Sequence, residues 1–228
     1  MSEFAFPPAL QASLPIAGRA ERFPVHRIYC VGRNFADHAR EMGAEVPRGR
    51  PVFFMKPADA ATTSAEIPYP GATADLHHEV ELVVALGRDA DGEVAVENAL
   101  ELVFGYGVGL DLTRRDLQAE AKDKRLPWDI AKGFDASAPL GPLVPMPGAE
   151  PPQGRLWLEV NGELRQQAPL SSMVFSVPEV LHELSRLFAL RAGDLVFMGT
   201  PAGVAALQRG DRVHAGVDGL GEYQGRIV

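Results

Sequence analysis

Short apolar runs, separated by glycine, proline and acidic turns, make up most of this sequence. The clearest run covers residues 80–86; it contains no glycine or proline and stops at Gly87, which predicts a buried strand. Similar patterns predict strands over residues 27–32, 51–57 and 104–111 and within residues 190–201. In residues 104–111 glycine alternates with other residues, as in a strand that other backbone approaches closely. The pattern therefore predicts many short strands.

Helical spacing is confined to short segments. A helix beginning near Asn34 or Asp37 would be capped by one of these side chains and ended by Gly43. Further short helices are predicted over residues 94–103, 112–122 and 178–188. An Asn-Gly turn predicts a hairpin over residues 156–166, and residues 210–228 read as a closing pair of strands. The predicted fold class is mixed α/β, mainly β.

The first 24 residues carry four prolines and little periodicity, which predicts an extended N-terminal arm that packs on the body. Residues 25–228 are then expected to form a single catalytic domain, since 228 residues suit one domain with a real core.

Composition narrows the possible functions. The net charge of −8 argues against nucleic-acid and membrane-surface partners. Cys30 is the one cysteine, so an intrachain disulfide and a cysteine-based zinc site are excluded. No apolar stretch approaches the length of a bilayer span and no secretory signal pattern opens the sequence, so the expected location is the cytoplasm.

The strongest candidate chemistry lies at the start of the best-predicted strand. Glu79 and Glu81 are two residues apart, so they share one face of an extended chain. Two such carboxylates could be solvated on an exposed edge strand, or a divalent cation could join them. Asp111, at the end of the glycine-containing strand, could be a helix N-cap or a third oxygen ligand for Mg²⁺ or Mn²⁺.

Two further positions suggest acid–base and electrostatic roles. His38 and Glu41 are three residues apart, so a helix would bring them together, either as a general base with its orienting carboxylate or as an exposed pair without function. Lys132 could polarise a carbonyl or pair with a carboxylate, or it could be a surface lysine. Thr200 offers a hydroxyl at a strand end.

Set side by side, these segments resemble the fumarylacetoacetate hydrolase family, in particular its short single-domain branch with acylpyruvases and fumarylpyruvate hydrolases. The resemblance runs from Arg27 to Val228 and is specific because several motifs match in order and spacing. The motifs are Tyr29-Cys30-Val31-Gly32-Arg33-Asn34, His38-Ala39-Arg40-Glu41-Met42, Phe54-Met55-Lys56-Pro57, His77-His78-Glu79-Val80-Glu81-Leu82, Gly109-Leu110-Asp111-Leu112-Thr113-Arg114-Arg115-Asp116, Lys132-Gly133-Phe134-Asp135 and Gly199-Thr200-Pro201-Ala202-Gly203-Val204.

The resemblance implies a β-sandwich or roll with short flanking helices, assembled as a homodimer. It implies that Glu79, Glu81 and Asp111 hold the divalent metal, Mg²⁺ or Mn²⁺. The catalytic pair would be His38 and Glu41, on a lid over residues 34–50 that orders when a keto acid binds. The positions that would contact this small-molecule substrate are Gln118, Lys132 and Thr200.

The implied activity is hydrolysis of a C–C bond in an acylpyruvate, with fumarylpyruvate, cleaved to fumarate and pyruvate in aromatic (gentisate) catabolism, as the favoured substrate. His38 would activate water, and Lys132 would stabilise the departing enolate beside the metal. The same groups could serve an oxaloacetate decarboxylase or a keto–enol tautomerase. A non-catalytic metal-dependent binding protein of the same fold is a further alternative.

Overall fold

The computed structural model describes residues 4–41, 43 and 49–228. The strands in this part of the chain are β1 (Ser13–Pro15), β2 (Arg22–Pro24), β3 (Ile28–Gly32), β4 (Val52–Lys56), β5 (Ala61–Thr62), β6 (Glu66–Ile67), β7 (Leu76–His77), β8 (Val80–Leu86), β9 (Val103–Leu110), β10 (Thr113–Arg114), β11 (Ala138–Pro139), β12 (Val144–Pro145), β13 (Arg155–Val160), β14 (Glu163–Pro169), β15 (Leu195–Phe197), β16 (Ala206–Leu207), β17 (Arg212–Val217) and β18 (Gly221–Ile227). The α-helices are α1 (Ala36–Glu41), α2 (Arg115–Lys124), α3 (Asp129–Lys132) and α4 (Val177–Ser185), and 3₁₀ turns cover Ala58–Ala60, Val96–Leu102 and Leu170–Ser172.

A six-stranded mixed sheet carries the candidate site. Its strand order is β12-β9-β8-β15-β3-β4, with β15 and β3 parallel and the other pairs antiparallel. The long β8–β9 pairing sets Glu81 opposite Gly109. Every residue of β8 is buried, as its sequence, apolar except for Glu81, predicts for a strand covered on both faces.

A five-stranded sheet of order β14-β13-β17-β18-β6 covers one face of this sheet. The core between the two sheets includes Leu82, Val84, Leu156, Leu158 and Ala215, all fully buried. Two stacked sheets with short helices at their margins confirm the predicted mixed, mainly β sandwich.

The opposite face of the six-stranded sheet packs against the N-terminal hairpin of β1 and β2. Leu14 and Phe23 from this hairpin share a second core with Val83, Ala85 and Phe197. Alternate residues of β8 therefore enter two different cores, which explains why the whole strand is shielded from water.

The glycines of β9 allow close approach by neighbouring chain, as the alternation predicts. A Cβ atom at Gly105 would lie 2.2 Å from the carbonyl oxygen of Val144 on β12. A Cβ at Gly109 would lie 2.9 Å from the ring of Phe197 on β15. Both distances are too short for a side chain, so glycine is required for this packing.

Two residues that the sequence offers as possible helix caps do not cap a helix. Asn34 does not cap α1, because its amide bonds to Phe175 and Met198 instead. Asp111 does not cap α2, which begins four residues later with Arg114 at the N-cap. The helix predicted over residues 94–103 is a 3₁₀ turn. Gly43 follows α1 with φ +66°, as predicted for a helix end, while positions 42 and 44–48 of the predicted lid lie outside the described residues.

Among the described helices, none combines the length and apolar character needed to cross a bilayer.

Candidate active site

Three buried carboxylates meet where β8 begins and β9 ends. Glu79 precedes β8, Glu81 lies on it, and Asp111 follows β9; the backbone N–H of Asp111 donates to the Glu79 carbonyl at 2.8 Å. One carboxylate oxygen from each residue lies within 4.8 Å of the others. The strand pairing therefore places the predicted metal-binding residues together, and the alternative of solvated edge glutamates is wrong because all three are buried.

Two buried lysines bind this carboxylate group. Nζ of Lys132, at the end of α3, donates to Glu79 Oε2 at 2.7 Å and to Asp111 Oδ2 at 2.6 Å. Nζ of Lys56, at the end of β4, lies 2.8 Å from Asp111 Oδ1 and also donates to the carbonyls of Leu112 and Lys132. Lys132 is thus a buried site residue, not a surface lysine.

Arg115 links the carboxylates to the side-chain amide of Gln118. Its Nη2 donates to Glu79 Oε1 at 2.5 Å, and its Nη1 donates to Gln118 Oε1 at 2.6 Å. This orientation leaves the Gln118 NH₂ group as a donor toward the cavity that Gln118 lines.

Their surroundings shift the pKa values of Glu79 and Glu81 in opposite directions. Burial acts to raise the pKa of Glu79, but Lys132 and Arg115 outweigh it and hold that pKa well below its usual range. Burial, followed by the charges of Asp111 and Glu79, raises the pKa of Glu81 well above its usual range. Glu81 accepts the backbone N–H of Gly199 at 2.6 Å.

This donor set suits a hard divalent cation. Magnesium and manganese prefer carboxylate oxygens together with water or substrate oxygens, and three clustered carboxylates supply such a partial shell. Neutralising Glu81 by a cation would also remove the electrostatic cost of a third buried negative charge.

His38 lines the same cavity and is paired with Glu41 on α1. His38 is buried on α1, and its Nδ1 lies 3.2 Å from Oε2 of Glu41. The Glu41 carboxylate also accepts the backbone N–H of Gly203 at 3.1 and 3.2 Å, which ties α1 to the loop after β15. Burial lowers the pKa of His38 despite the opposing effects of Glu79 and Glu41, so the imidazole is neutral and able to accept a proton at neutral pH.

A cavity of about 180 Å³ brings these groups together. It is lined by all the residues predicted for the site except Glu41, which lies behind His38. Gln118 and Thr200 are both buried at its wall. Arg33, with φ +62°, and Lys122 add positive charge at the cavity, and Trp128 adds an aromatic wall.

Sequence reasoning did not assign Lys56, Arg115, Arg33 and Lys122 to the site. Arg33, Lys56 and Arg115 stand inside the motifs that carry the resemblance, which was the available signal. Lys122 follows Gln118 by one helical turn, so its place beside the cavity could have been read from the i, i+4 spacing.

Comparison with known proteins agrees with this geometry. Residues 27–228 match the family described as fumarylacetoacetate (FAA) hydrolase C-terminal. Oxaloacetate tautomerase FAHD1, mitochondrial, of Rattus norvegicus is 46% identical over 195 residues, which cover 85% of this chain and 87% of the rat protein. The crystal structure of fumarylpyruvate hydrolase from Pseudomonas aeruginosa, in complex with Mn²⁺ and pyruvate, matches with a TM-score of 0.95 and 47% identity over 99% of both chains. The structure of 5-carboxymethyl-2-hydroxymuconate delta-isomerase from Mycobacterium smegmatis matches with a TM-score of 0.78 and 32% identity, over 96% of this chain and 82% of that one.

Proposed function

The chain belongs to the fumarylacetoacetate hydrolase family, and on this premise we propose that it hydrolyses a C–C bond in acylpyruvates, with fumarylpyruvate as its best substrate. The observation that carries this proposal is the shared cavity: buried His38, whose ring contacts Glu41, lines it together with three carboxylates that suit a divalent cation. Hydrolysis needs both an activated water and a stabilised enolate leaving group, and this arrangement offers a group for each.

We propose that Glu79, Glu81 and Asp111 hold Mg²⁺ or Mn²⁺. The bound ion would supply Lewis-acid stabilisation of negative charge on a keto or enolate oxygen. The manganese in the Pseudomonas aeruginosa structure supports a divalent ion of this class.

The protein groups then have distinct parts in the reaction. Neutral His38, oriented by Glu41, takes a proton from water, and the resulting hydroxide adds to the acyl carbonyl carbon. The C–C bond next to that carbon breaks, and its electron pair leaves as the pyruvate enolate. Lys132 stabilises the enolate oxygen, while the amide of Gln118 and the hydroxyl of Thr200 orient the keto acid.

One further observation favours fumarylpyruvate over acylpyruvates with an uncharged acyl group. Arg33 and Lys122 at the cavity offer cations for a second carboxylate, which fumarylpyruvate carries at its far end.

Oxaloacetate tautomerisation is the second candidate activity, and decarboxylation of the same acid is related to it. The rat and Arabidopsis thaliana relatives, at 46% and 41% identity, are oxaloacetate tautomerases. Enolate stabilisation beside Lys132 would serve these reactions without hydrolysis.

Product analysis decides between the candidates. Purified protein with Mg²⁺ or Mn²⁺ is incubated separately with fumarylpyruvate, acetylpyruvate and oxaloacetate, and products are followed by NMR. We expect fumarate and pyruvate to form fastest, at a kcat/KM above that for acetylpyruvate. Exchange between enol and keto oxaloacetate without cleavage of any acylpyruvate would identify a tautomerase instead.

We also propose that the protein is a homodimer with no nucleic-acid or membrane partner. Light scattering coupled to size exclusion should give twice the 24.6 kDa chain mass.

We propose that the protein acts in the cytoplasm. The rat relative carries "mitochondrial" in its name, so the compartment needs its own test by fractionation of cells expressing the tagged protein.

A further inference from the structure

Gln166 is a buried residue of β14 in the five-stranded sheet, and its side chain contacts the backbone and side chains that border the candidate site. It is almost completely buried, and its amide makes four hydrogen bonds that join three separate segments. β13 and β14 change register next to it, since Leu158 pairs with Gln166 but Glu159 pairs with Leu164. Arg165 is therefore the extra residue of a bulge, a feature that re-aims neighbouring side chains.

The hydrogen bonds fix which way the Gln166 amide points. Its Oε1 accepts the backbone N–H of Val80 at 3.2 Å, and a backbone N–H can only donate. Its Nε2 donates to the Pro201 carbonyl at 2.8 Å, and a carbonyl can only accept. Both ends of the amide are thus assigned by partners that have a single role.

This assignment determines the role of Thr200. Nε2 of Gln166 also lies 2.8 Å from Oγ1 of Thr200, so the hydroxyl oxygen must accept that hydrogen bond. The hydroxyl hydrogen of Thr200 is then free to point elsewhere, and Thr200 lines the cavity. A hydroxyl held in this way acts as a donor, which suits a negatively charged oxygen of a ligand.

The same amide connects Thr200 to the carboxylate strand. Val80 stands between Glu79 and Glu81, so Oε1 of Gln166 holds the backbone of the proposed metal-binding strand. His78 adds to this link, because its Nδ1 lies 2.8 Å from Gln166 Oε1 and donates there. Gln166 therefore sets the spacing between the strand and the loop that carries Thr200.

We propose that Gln166 is a positioning residue that fixes the Thr200 hydroxyl as a hydrogen-bond donor to the keto-acid oxygens. The inference rests on the proposed function, because it assumes that Thr200 contacts the substrate. It adds a residue outside the cavity that determines how tightly the pyruvate end is held, and whose amide bonds to none of the three carboxylates.

The test compares Gln166→Glu with its exposed neighbour Gln167→Glu, a matched control whose side chain accepts from Arg155 at the surface. Glutamate keeps the shape and the acceptor side but loses the NH₂ group. In the Mn²⁺-loaded protein we expect Gln166→Glu to weaken pyruvate binding, measured by calorimetry, roughly 10- to 100-fold, the loss expected for one hydrogen bond to a charged group. Gln167→Glu should bind pyruvate as the wild type does.

Three further measurements exclude a merely structural effect. Mn²⁺ affinity should stay within about threefold of the wild-type value in Gln166→Glu, because glutamate keeps the acceptor for the Val80 N–H. Gln166→Met, which loses both ends of the amide, is a second variant for pyruvate binding in case glutamate is not tolerated. Thr200→Val should lose as much pyruvate affinity as Gln166→Glu, while Thr200→Ser should retain it. The double variant Gln166→Glu/Thr200→Val should bind no more weakly than Thr200→Val alone, because both changes remove the same donor.

The outcomes separate the two proposals. If Thr200→Val weakens pyruvate binding but both Gln166 variants do not, or if the two losses add, the positioning role is wrong and the proposed function stands. If wild-type protein neither cleaves fumarylpyruvate nor binds pyruvate with Mn²⁺, the proposed function itself is wrong.

Discussion

Charge balance at the site explains which ligands it suits. The carboxylates of Glu79, Glu81 and Asp111 are matched by three cationic groups, those of Lys56, Lys132 and Arg115. A bound divalent cation would therefore leave the site with excess positive charge in a buried setting. That excess suits a dianionic keto acid, because its negative charge would be paired where water is scarce.

His38 provides the sharpest residue-level test of the reaction type. We expect His38→Ala to lower the rate of acylpyruvate hydrolysis by roughly 10²- to 10⁴-fold, the usual contribution of a placed general base. Decarboxylation of oxaloacetate should fall far less, because it needs no activated water, whereas Lys132→Ala should impair both reactions. Steady-state rates with both substrates check this; near-normal hydrolysis by His38→Ala would place the base elsewhere.

The pH dependence follows from the environment of the same side chain. Burial lowers the pKa of His38, so its neutral, proton-accepting form persists below pH 6.5. We expect the acid limb of the kcat/KM profile for hydrolysis to lie below pH 6.5. Since Glu41 acts to raise this pKa, Glu41→Gln should move the limb to still lower pH. A limb above pH 7 would contradict the assignment of His38 as the base.

Substitution of Glu81 should affect metal affinity and protein stability differently. The lysines and Arg115 pair with Glu79 and Asp111, while burial and these two neighbouring carboxylates raise the pKa of Glu81 and disfavour its charged form. We expect Glu81→Gln to preserve or raise the thermal stability of metal-free protein and to weaken Mg²⁺ binding by more than about 100-fold, beyond the usual effect of groups that only orient ligands. Calorimetric titration and thermal unfolding at pH 7 measure both, with Glu163→Gln as the exposed control. Wild-type Mg²⁺ affinity would remove Glu81 from the metal site.

At the scale of elements, the sequence predicted those strands whose residues are selected by local burial and packing. The run of β8, apolar except for Glu81, and the alternating glycines of β9 both predicted strands. They could do so because burial on two faces selects apolar residues and close backbone approach selects glycine. The three carboxylates could likewise be found from strand geometry and from the motifs they occupy. Lys56 could not, because its relation to Asp111 depends on how β4 and β9 are placed in the sheet.

The role of Asn34 also could not be predicted from nearby sequence, which indicated only a cap for the following helix. Its amide instead donates to Met198 at 2.8 Å and accepts from Phe175 at 2.8 Å, partners more than 140 residues away. These bonds clamp the segment before α1 to the exit of β15 and the approach to α4. The position of His38 therefore depends on contacts that no short window of sequence contains.

Asn34→Ala should accordingly affect both stability and catalysis. Removing the amide leaves the buried Met198 carbonyl and the half-buried Phe175 N–H without their partner, and an unpaired buried group costs about 1–3 kcal/mol. We expect a lower free energy of unfolding in urea and a reduced kcat, because α1 would no longer be held against the site. Asp37→Ala, which removes an exposed pair with Arg40 on the same helix, is the control and should change neither quantity appreciably. Unchanged stability of Asn34→Ala would show that these bonds do not hold the segment.

At the scale of the whole molecule, the six-stranded sheet needs cover on both faces to keep the site buried. The five-stranded sheet supplies one cover, and the β1–β2 hairpin supplies part of the other. By strand alternation the side chain of Glu81 shares a face with Val83 and Ala85, which belong to the core that the hairpin covers. Water reaching that face would therefore change the setting of the Glu81 carboxylate. The N-terminal arm predicted from prolines alone therefore contributes to the interior of the protein.

Deleting residues 1–24 tests this contribution. The deletion removes Leu14, Ile16 and Phe23, all buried, and burial of each such side chain is worth about 1.5–3 kcal/mol. Their sum approaches the total stability of an ordinary domain, so we expect aggregation or a large fall in the unfolding midpoint, with loss of Mg²⁺ binding. Deleting residues 1–10 is the matched control, because Phe4, Phe6 and Leu10 are exposed, and it should leave midpoint and activity unchanged. If the longer deletion unfolds at the wild-type midpoint and still binds Mg²⁺, the arm is dispensable and the outer face of the sheet is stable without it.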